Sequence, residues 1–156
     1  MRTATFTLPD IPLTPNRTAR MHWSRVRGDR GLTGEWRIRA RMAMAAARKY
    51  GTWDGRPFLC SQVTVRFFYR DRRRRDPDNA AASLKALIDG MRPIPREPVA
   101  GYVFPDDDFR HVPRMIVEYG GVDPKRPRIE ILVEEIVTFA GTAAGLPNDP
   151  VREGDE

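Results

Sequence analysis

Polar and apolar residues alternate over 3–8, TATFTL, which predicts a strand. Residues 61–69, SQVTVRFFY, alternate again and put Val63, Val65, Phe67 and Tyr69 on one face of a second strand. Between them the period changes. Trp36, Ala40, Ala43 and Ala47 form the apolar stripe of a helix expected from a Thr33 cap to about Tyr50, with Gly51 as its stop. Leu84, Leu87, Ile88 and Met91 fall at i, i+3, i+4 and i+7, which predicts a second helix over about 79–91. VPRMIVEYGG reads as a third strand, weakened at its start by Pro113. RPRIEILVEEIV reads as a fourth, with Ile129, Ile131 and Val133 on one face, and GGVDPKRP is expected to join these two as an antiparallel hairpin. The order β-α-β-α-β-β predicts an α+β fold, a single domain with a mixed β-sheet and two main helices.

The remaining segments are loops. Residues 9–31 carry three early prolines and a basic cluster with His22 and Trp23, and residues 92–105 hold four prolines. Residues 138–156 are rich in Gly, Ala and Pro, and acidic, and are expected to be a flexible tail after a domain over 1–137. The 156 residues suffice for one core. No apolar run approaches the roughly 18 residues that a membrane span needs, and the first ten residues lack a signal-peptide stretch. A soluble, cytoplasmic protein with no membrane partner is the expectation. Cys60 is the one cysteine, so a disulfide framework within the chain is excluded; it is expected to be buried.

Charge changes the picture more than composition does. The net charge is +6, and the tail is acidic, so the basic excess is concentrated in the body of the chain. Only Lys49, Lys85 and Lys125 are lysines; the other basic residues are arginines. Such a basic, clustered surface points to a polyanionic partner, nucleic acid first.

The densest chemistry lies in DRRRRDPDN, residues 71–79. Proline disfavours the helical region for the residue before it, so Asp76 is expected to be extended. On an extended segment Asp76 and Asp78 point the same way, and two close carboxylates favour a cation between them. Mg²⁺ suits such oxygen ligands, and Asp106, Asp107 and Asp108 offer further carboxylates from a distant loop. A bland reading stands beside this one: D-P-D-N is ordinary turn chemistry, with Asp78 or Asn79 capping the next helix, and an acidic triplet is commonly a solvated loop. Arg72, Arg73, Arg74 and Arg75 suit phosphate contact, as do Arg17, Arg20, Arg25 and Arg27. Phosphodiester cleavage needs phosphate-binding arginines beside a carboxylate-held metal, which activates water and offsets charge at phosphorus. His22 is equally readable as a DNA contact or a packed ring, and His111 as a strand-start residue or a metal or acid–base group.

DRRRRDPDN, a helix with Lys85 and Asp89, and then PDDDFRHV together resemble the RusA-like Holliday junction resolvases, often carried by phages and prophages. The resemblance covers roughly residues 3–137, with TFTLPDIPLTPNRTARMHW and RPRIEILVEEI as flanking matches. It implies a RusA-like fold and a homodimer that binds branched DNA at a four-way junction. It implies cutting by paired nicks with Mg²⁺, Mn²⁺ being able to substitute. Asp76 and Asp78 match the aspartates of D-x-D-N. Asp107, with Asp106 beside it, matches the third catalytic and metal-binding position, and Lys85 matches the helix lysine that assists at the reacting phosphate. Lys85 follows Asp78 by seven residues rather than the family's four, about 5 Å further along a helix. Lys85 also lies four residues before Asp89, so a surface ion pair is its bland reading. The alternatives to a resolvase are a non-cleaving binder of branched or single-stranded DNA and, more remotely, a nuclease acting on flaps or other replication intermediates.

Overall fold

A computed structural model describes residues 1–14, 17, 19, 21, 25, 31–93 and 101–136. The elements in chain order are β1 (Thr3–Pro9), α1 (Leu32–Lys49), β2 (Ser61–Tyr69), α2 (Pro77–Ser83), α3 (Lys85–Gly90), β3 (Arg114–Val122) and β4 (Arg128–Glu135). The four strands make one mixed sheet in the order β1-β4-β2-β3. Strand β4 runs antiparallel to both its neighbours, whereas β2 and β3 are parallel.

The register aligns the apolar alternation of every strand into three rows: Ala4, Val133, Val63 and Met115; Phe6, Ile131, Val65 and Val117; Leu8, Ile129, Phe67 and Tyr119. The first three members of each row are almost completely buried. Helix α1 packs beside β1 and α3. Its stripe of Trp36, Ala40, Ala43 and Ala47 is buried as expected, with Met44 added, and the core is completed by Leu84, Leu87, Ile88 and Met91. Three of the buried α1 residues are alanines, small side chains that let a neighbour approach. At Gly90 the approach to α1 is closer still, since a β-carbon there would lie 2.8 Å from the Arg37 backbone.

Four expectations are corrected. First, β3 and β4 are not hydrogen-bonded neighbours. Strand β4 sits between β1 and β2, and residues 123–127 carry the chain across the end of β2, where the Asp123 N–H donates to the Tyr69 carbonyl at 2.7 Å. Five residues easily cover the two strand spacings, about 10 Å, that this crossing requires. Burial sets β3 apart from the other strands: none of its residues is fully buried, whereas one face each of β1, β2 and β4 is. Second, the helix expected over 79–91 starts at Pro77 and is interrupted at Leu84, giving α2 and α3. Third, Gly31 rather than Thr33 is the N-cap of α1. Fourth, Cys60 is partly exposed, not buried. Residues 137–156, including the expected tail, lie outside the described residues.

The parallel pair β2 and β3 is linked through α2, α3 and the loop that follows them. DRRRRDPDN therefore occupies the turn from the carboxyl end of β2 into a helix, a place where α/β folds commonly bind ligands.

Candidate nucleic-acid interface and acidic site

Strand β2 delivers the chain to Arg70 at its carboxyl end. Residues 70–76 then carry five arginines and two aspartates. Arg72, Arg73, Arg74 and Arg75 are all exposed. Asp71 organises two of them: it accepts from Arg75 Nη2 at 2.7 Å and lies 3.7 Å from Arg73 Nε. The Arg75 guanidinium also lies over the Tyr69 ring, 4.8 Å from its centre. Arg72 and Arg74 have no carboxylate partner among the described residues. Two arginines are thus braced and two are available to an incoming anion. Two clefts flank this loop. The first, about 390 Å³, is lined by Arg17, Arg70, Arg74, Arg75, Asp76 and Asn79 among others. The second, about 300 Å³, lies on the β3 side. Arg25 is exposed, whereas Arg20, Arg27, His22 and Trp23 lie outside the described residues.

Asp76 is extended, as its following proline dictates (φ −98°, ψ 121°). The alternation argument stops there, because α2 begins at Pro77. Proline takes the first helical position, where its missing N–H costs nothing, and Asp76 becomes the cap in place of Asp78 or Asn79. Its carboxylate accepts from the Asp78 N–H at 3.1 Å and from Asn79 Nδ2 at 3.1 Å. Asp78 is exposed, and its carboxylate has no protein partner among the described residues.

The acidic run presents a different arrangement. Lys85 opens α3 and its ammonium spans Asp89 Oδ1 at 2.9 Å and Asp107 Oδ2 at 2.7 Å. The expected i,i+4 pair is therefore formed, and so is the long-range contact to the third acidic position. Arg92 reaches the same group from the other side: Nη2 to Asp106 Oδ1 at 2.7 Å, Nη1 to Asp107 Oδ1 at 2.9 Å, and Nη1 to Asp89 Oδ1 at 3.5 Å. The hydrogen bond and charge of Lys85 hold the Asp107 carboxyl below the usual carboxylate range, aided by Arg92 and opposed by partial burial. Hydrogen bonds to Asp107 and then Asp89 raise the Lys85 ammonium above its ordinary value. Both groups are charged across neutral pH. Asp108 turns away to accept from the N–H groups of Arg110 and His111 and to pair with His111 Nδ1 at 2.7 Å. His111 lies before β3 rather than at its start.

Asp76 and Asp78 are thus near neighbours along the β2–α2 turn, and Asp106 and Asp107 share Arg92. Among the described residues no three His, Cys, Asp or Glu side chains converge on a point that could hold a metal. Mg²⁺ keeps several waters and commonly needs only one or two carboxylates. Asp78 and the remaining lone pairs of Asp76 suit that demand. Asp106 and Asp107 already face two cations, which compete with a metal for the same oxygens.

Arg92, Tyr69 and Tyr119 are the participants that the motif did not mark. Arg92 had a local signal, its i,i+3 spacing from Asp89; Tyr119 had none, since its place depends on the β2–β3 register. A search against protein-family models and against curated proteins finds no match. Among the described residues no helix is long and apolar enough to cross a membrane.

Proposed function

We propose that this chain is a Mg²⁺-dependent, structure-selective endodeoxyribonuclease that acts as a homodimer in the cytoplasm and resolves Holliday junctions by paired nicking. The observation that carries the reading is the 2.7 Å contact of Lys85 with Asp107. It joins two parts of the resemblance that lie far apart in the sequence, despite the seven-residue spacing from Asp78 to Lys85. The sequence resemblance and the exposed arginines beside Asp76 and Asp78 support the same reading.

Each residue has a chemical task in this proposal. Arg72 and Arg74 bind backbone phosphates and set the position of the DNA without reading its sequence. Asp76 and Asp78 would hold Mg²⁺, which supplies an activated water and offsets charge at phosphorus. Asp107 and Asp89 occupy two of the three Lys85 donors, and the third N–H is left for a phosphate oxygen. With 67% of its side chain exposed, Lys85 has room to make that contact. Asp107 acts here by holding Lys85, and Asp106 by holding Arg92.

The deciding experiment is a labelled four-way junction incubated with and without Mg²⁺, beside flap and duplex substrates. Paired symmetric nicks that require Mg²⁺ and vanish in Asp78→Asn are expected. The cation-filled state of Asp106 and Asp107 favours one second reading, a non-cleaving binder of branched DNA. That reading gains if junctions bind tightly, no divalent metal produces nicks, and Asp76→Asn strengthens binding.

A further inference from the structure

The three core rows do not end in the core. At β3 they emerge as Met115, Val117 and Tyr119, and Tyr119 is 64% exposed. Along the lowest row the aromatic rings line up. Phe67 and Tyr69 stack with centres 5.7 Å apart and planes 12° apart, and Tyr69 and Tyr119 follow at 6.1 Å and 20°. Tyr119 is the outer ring of this column. Just beyond it β3 bulges: Phe67 pairs with Tyr119 but Phe68 pairs with Gly121, which leaves Gly120 as the extra residue. A β-carbon at Gly120 would lie 2.8 Å from the Phe68 ring, so the ring occupies the space that a side chain would fill. Such bulges re-aim neighbouring side chains. The second cleft joins Tyr69 and Tyr119 to Arg72, Arg73, Arg74 and Arg75, in about 300 Å³.

We propose that this cleft binds one unpaired nucleotide of the DNA, its base stacked on Tyr119 and its phosphates held by Arg72 and Arg74. The inference rests on the nucleic-acid reading above and names the part of the substrate that this edge would take. An aromatic ring with a free face attracts a base of any sequence, provided that the base has left its own stack. A base inside a duplex has no face to offer, so the site would take a base that has been drawn out of its stack at the branch point. Charge selects the nucleotide over another occupant. Residues 70–76 carry five arginines against two aspartates. In a two-fold contact at this edge the arginine loops of both copies would face each other, like charge against like.

The test compares single-stranded and blunt duplex oligonucleotides by fluorescence anisotropy, using the full chain, Tyr119→Ala, Tyr119→Phe and Arg72→Ala/Arg74→Ala. A single 2-aminopurine in the strand reports stacking. The ratio of single-strand to duplex affinity is expected to fall about 5- to 150-fold in Tyr119→Ala, the scale of losing one stacked base. Tyr119→Phe should retain the ratio and the 2-aminopurine quenching. The double arginine variant should lower the salt slope of single-strand binding by about 1.4, from two phosphates released. An unchanged ratio in Tyr119→Ala, while the wild type binds both DNAs, would overturn the stacking site and leave the nucleic-acid reading intact. Loss of a wild-type dimer in Tyr119→Ala with that ratio unchanged would likewise overturn it, and would make this edge a contact between copies. A wild type that binds neither DNA would overturn both.

Discussion

Asp76 with Asp78, and Asp106 with Asp107, are two carboxylate pairs in opposite electrical states. The first pair stands beside exposed arginines, and Asp78 has no protein partner among the described residues. The second is closed by Lys85 and Arg92 at 2.7–2.9 Å. Residue type is the same in both places, so the difference comes from what the fold brings up to them. Helix α3 and the turn after it deliver cations to the acidic run. The β2–α2 turn uses Asp76 as the cap of α2, brings it no cation, and leaves the arginines exposed. A carboxylate already neutralised by two cations braces structure; one left open in a basic surface can take a metal.

The contrast can be broken or sharpened by single changes. The largest effect is expected for Asp78→Asn, with junction cutting lost and the melting temperature unchanged, because the side chain is exposed. Gel assays and calorimetry together check this. Next comes Arg92→Gln, which leaves Asp106 with no cation and Asp107 with Lys85 alone. A loss of about 1–3 kcal/mol in urea unfolding is expected. Asp76 separates two roles. Asp76→Ala should lose about 0.5–2 kcal/mol with its cap, whereas Asp76→Asn should keep the cap and most of that stability while still losing metal-dependent cutting.

The smallest effect concerns pH. The Asp107 carboxyl is lowered by Lys85 and Arg92. Its contribution is present above the unfolded value near 3.9 and is lost as pH falls through the folded value. The Lys85 ammonium is raised. Its contribution is present below the unfolded value near 10.4 and is lost as pH rises through the folded value. Stability from this pair is therefore flat between about pH 5 and 9. Solvent screening at the exposed lysine keeps the pair's worth to at most about 1 kcal/mol. Asp107→Asn should lower stability slightly at pH 7 and make the acid limb shallower, as followed by circular dichroism.

Much of the fold was legible in the sequence because alternation reports which face of a strand is buried. Ile129, Ile131 and Val133 announced their face, and so did Val63, Val65 and Phe67. Alternation carries no information about which strand lies beside which, and so it could not tell a β3–β4 hairpin from a β4 inserted between β1 and β2. The break at Leu84 was equally invisible, because the apolar spacing of 84, 87, 88 and 91 continues through it. At the acidic site, Pro77 announced an extended Asp76 but also started the helix one residue later, which removed the premise for placing Asp78 beside it. The contacts of Arg92 with Asp106 and Asp107 needed the loop's path in space.

The most direct test is the rate of nicking of one four-way junction in Mg²⁺, measured side by side for the wild type, Asp78→Asn and Asp107→Asn. If the open pair is the cutting end and the closed pair braces Lys85, Asp78→Asn makes no nicks at any Mg²⁺ concentration. Asp107→Asn then still cuts, about tenfold more slowly. Wild-type cutting by Asp78→Asn, with none from Asp107→Asn, would contradict that assignment and move the chemistry to the acidic run.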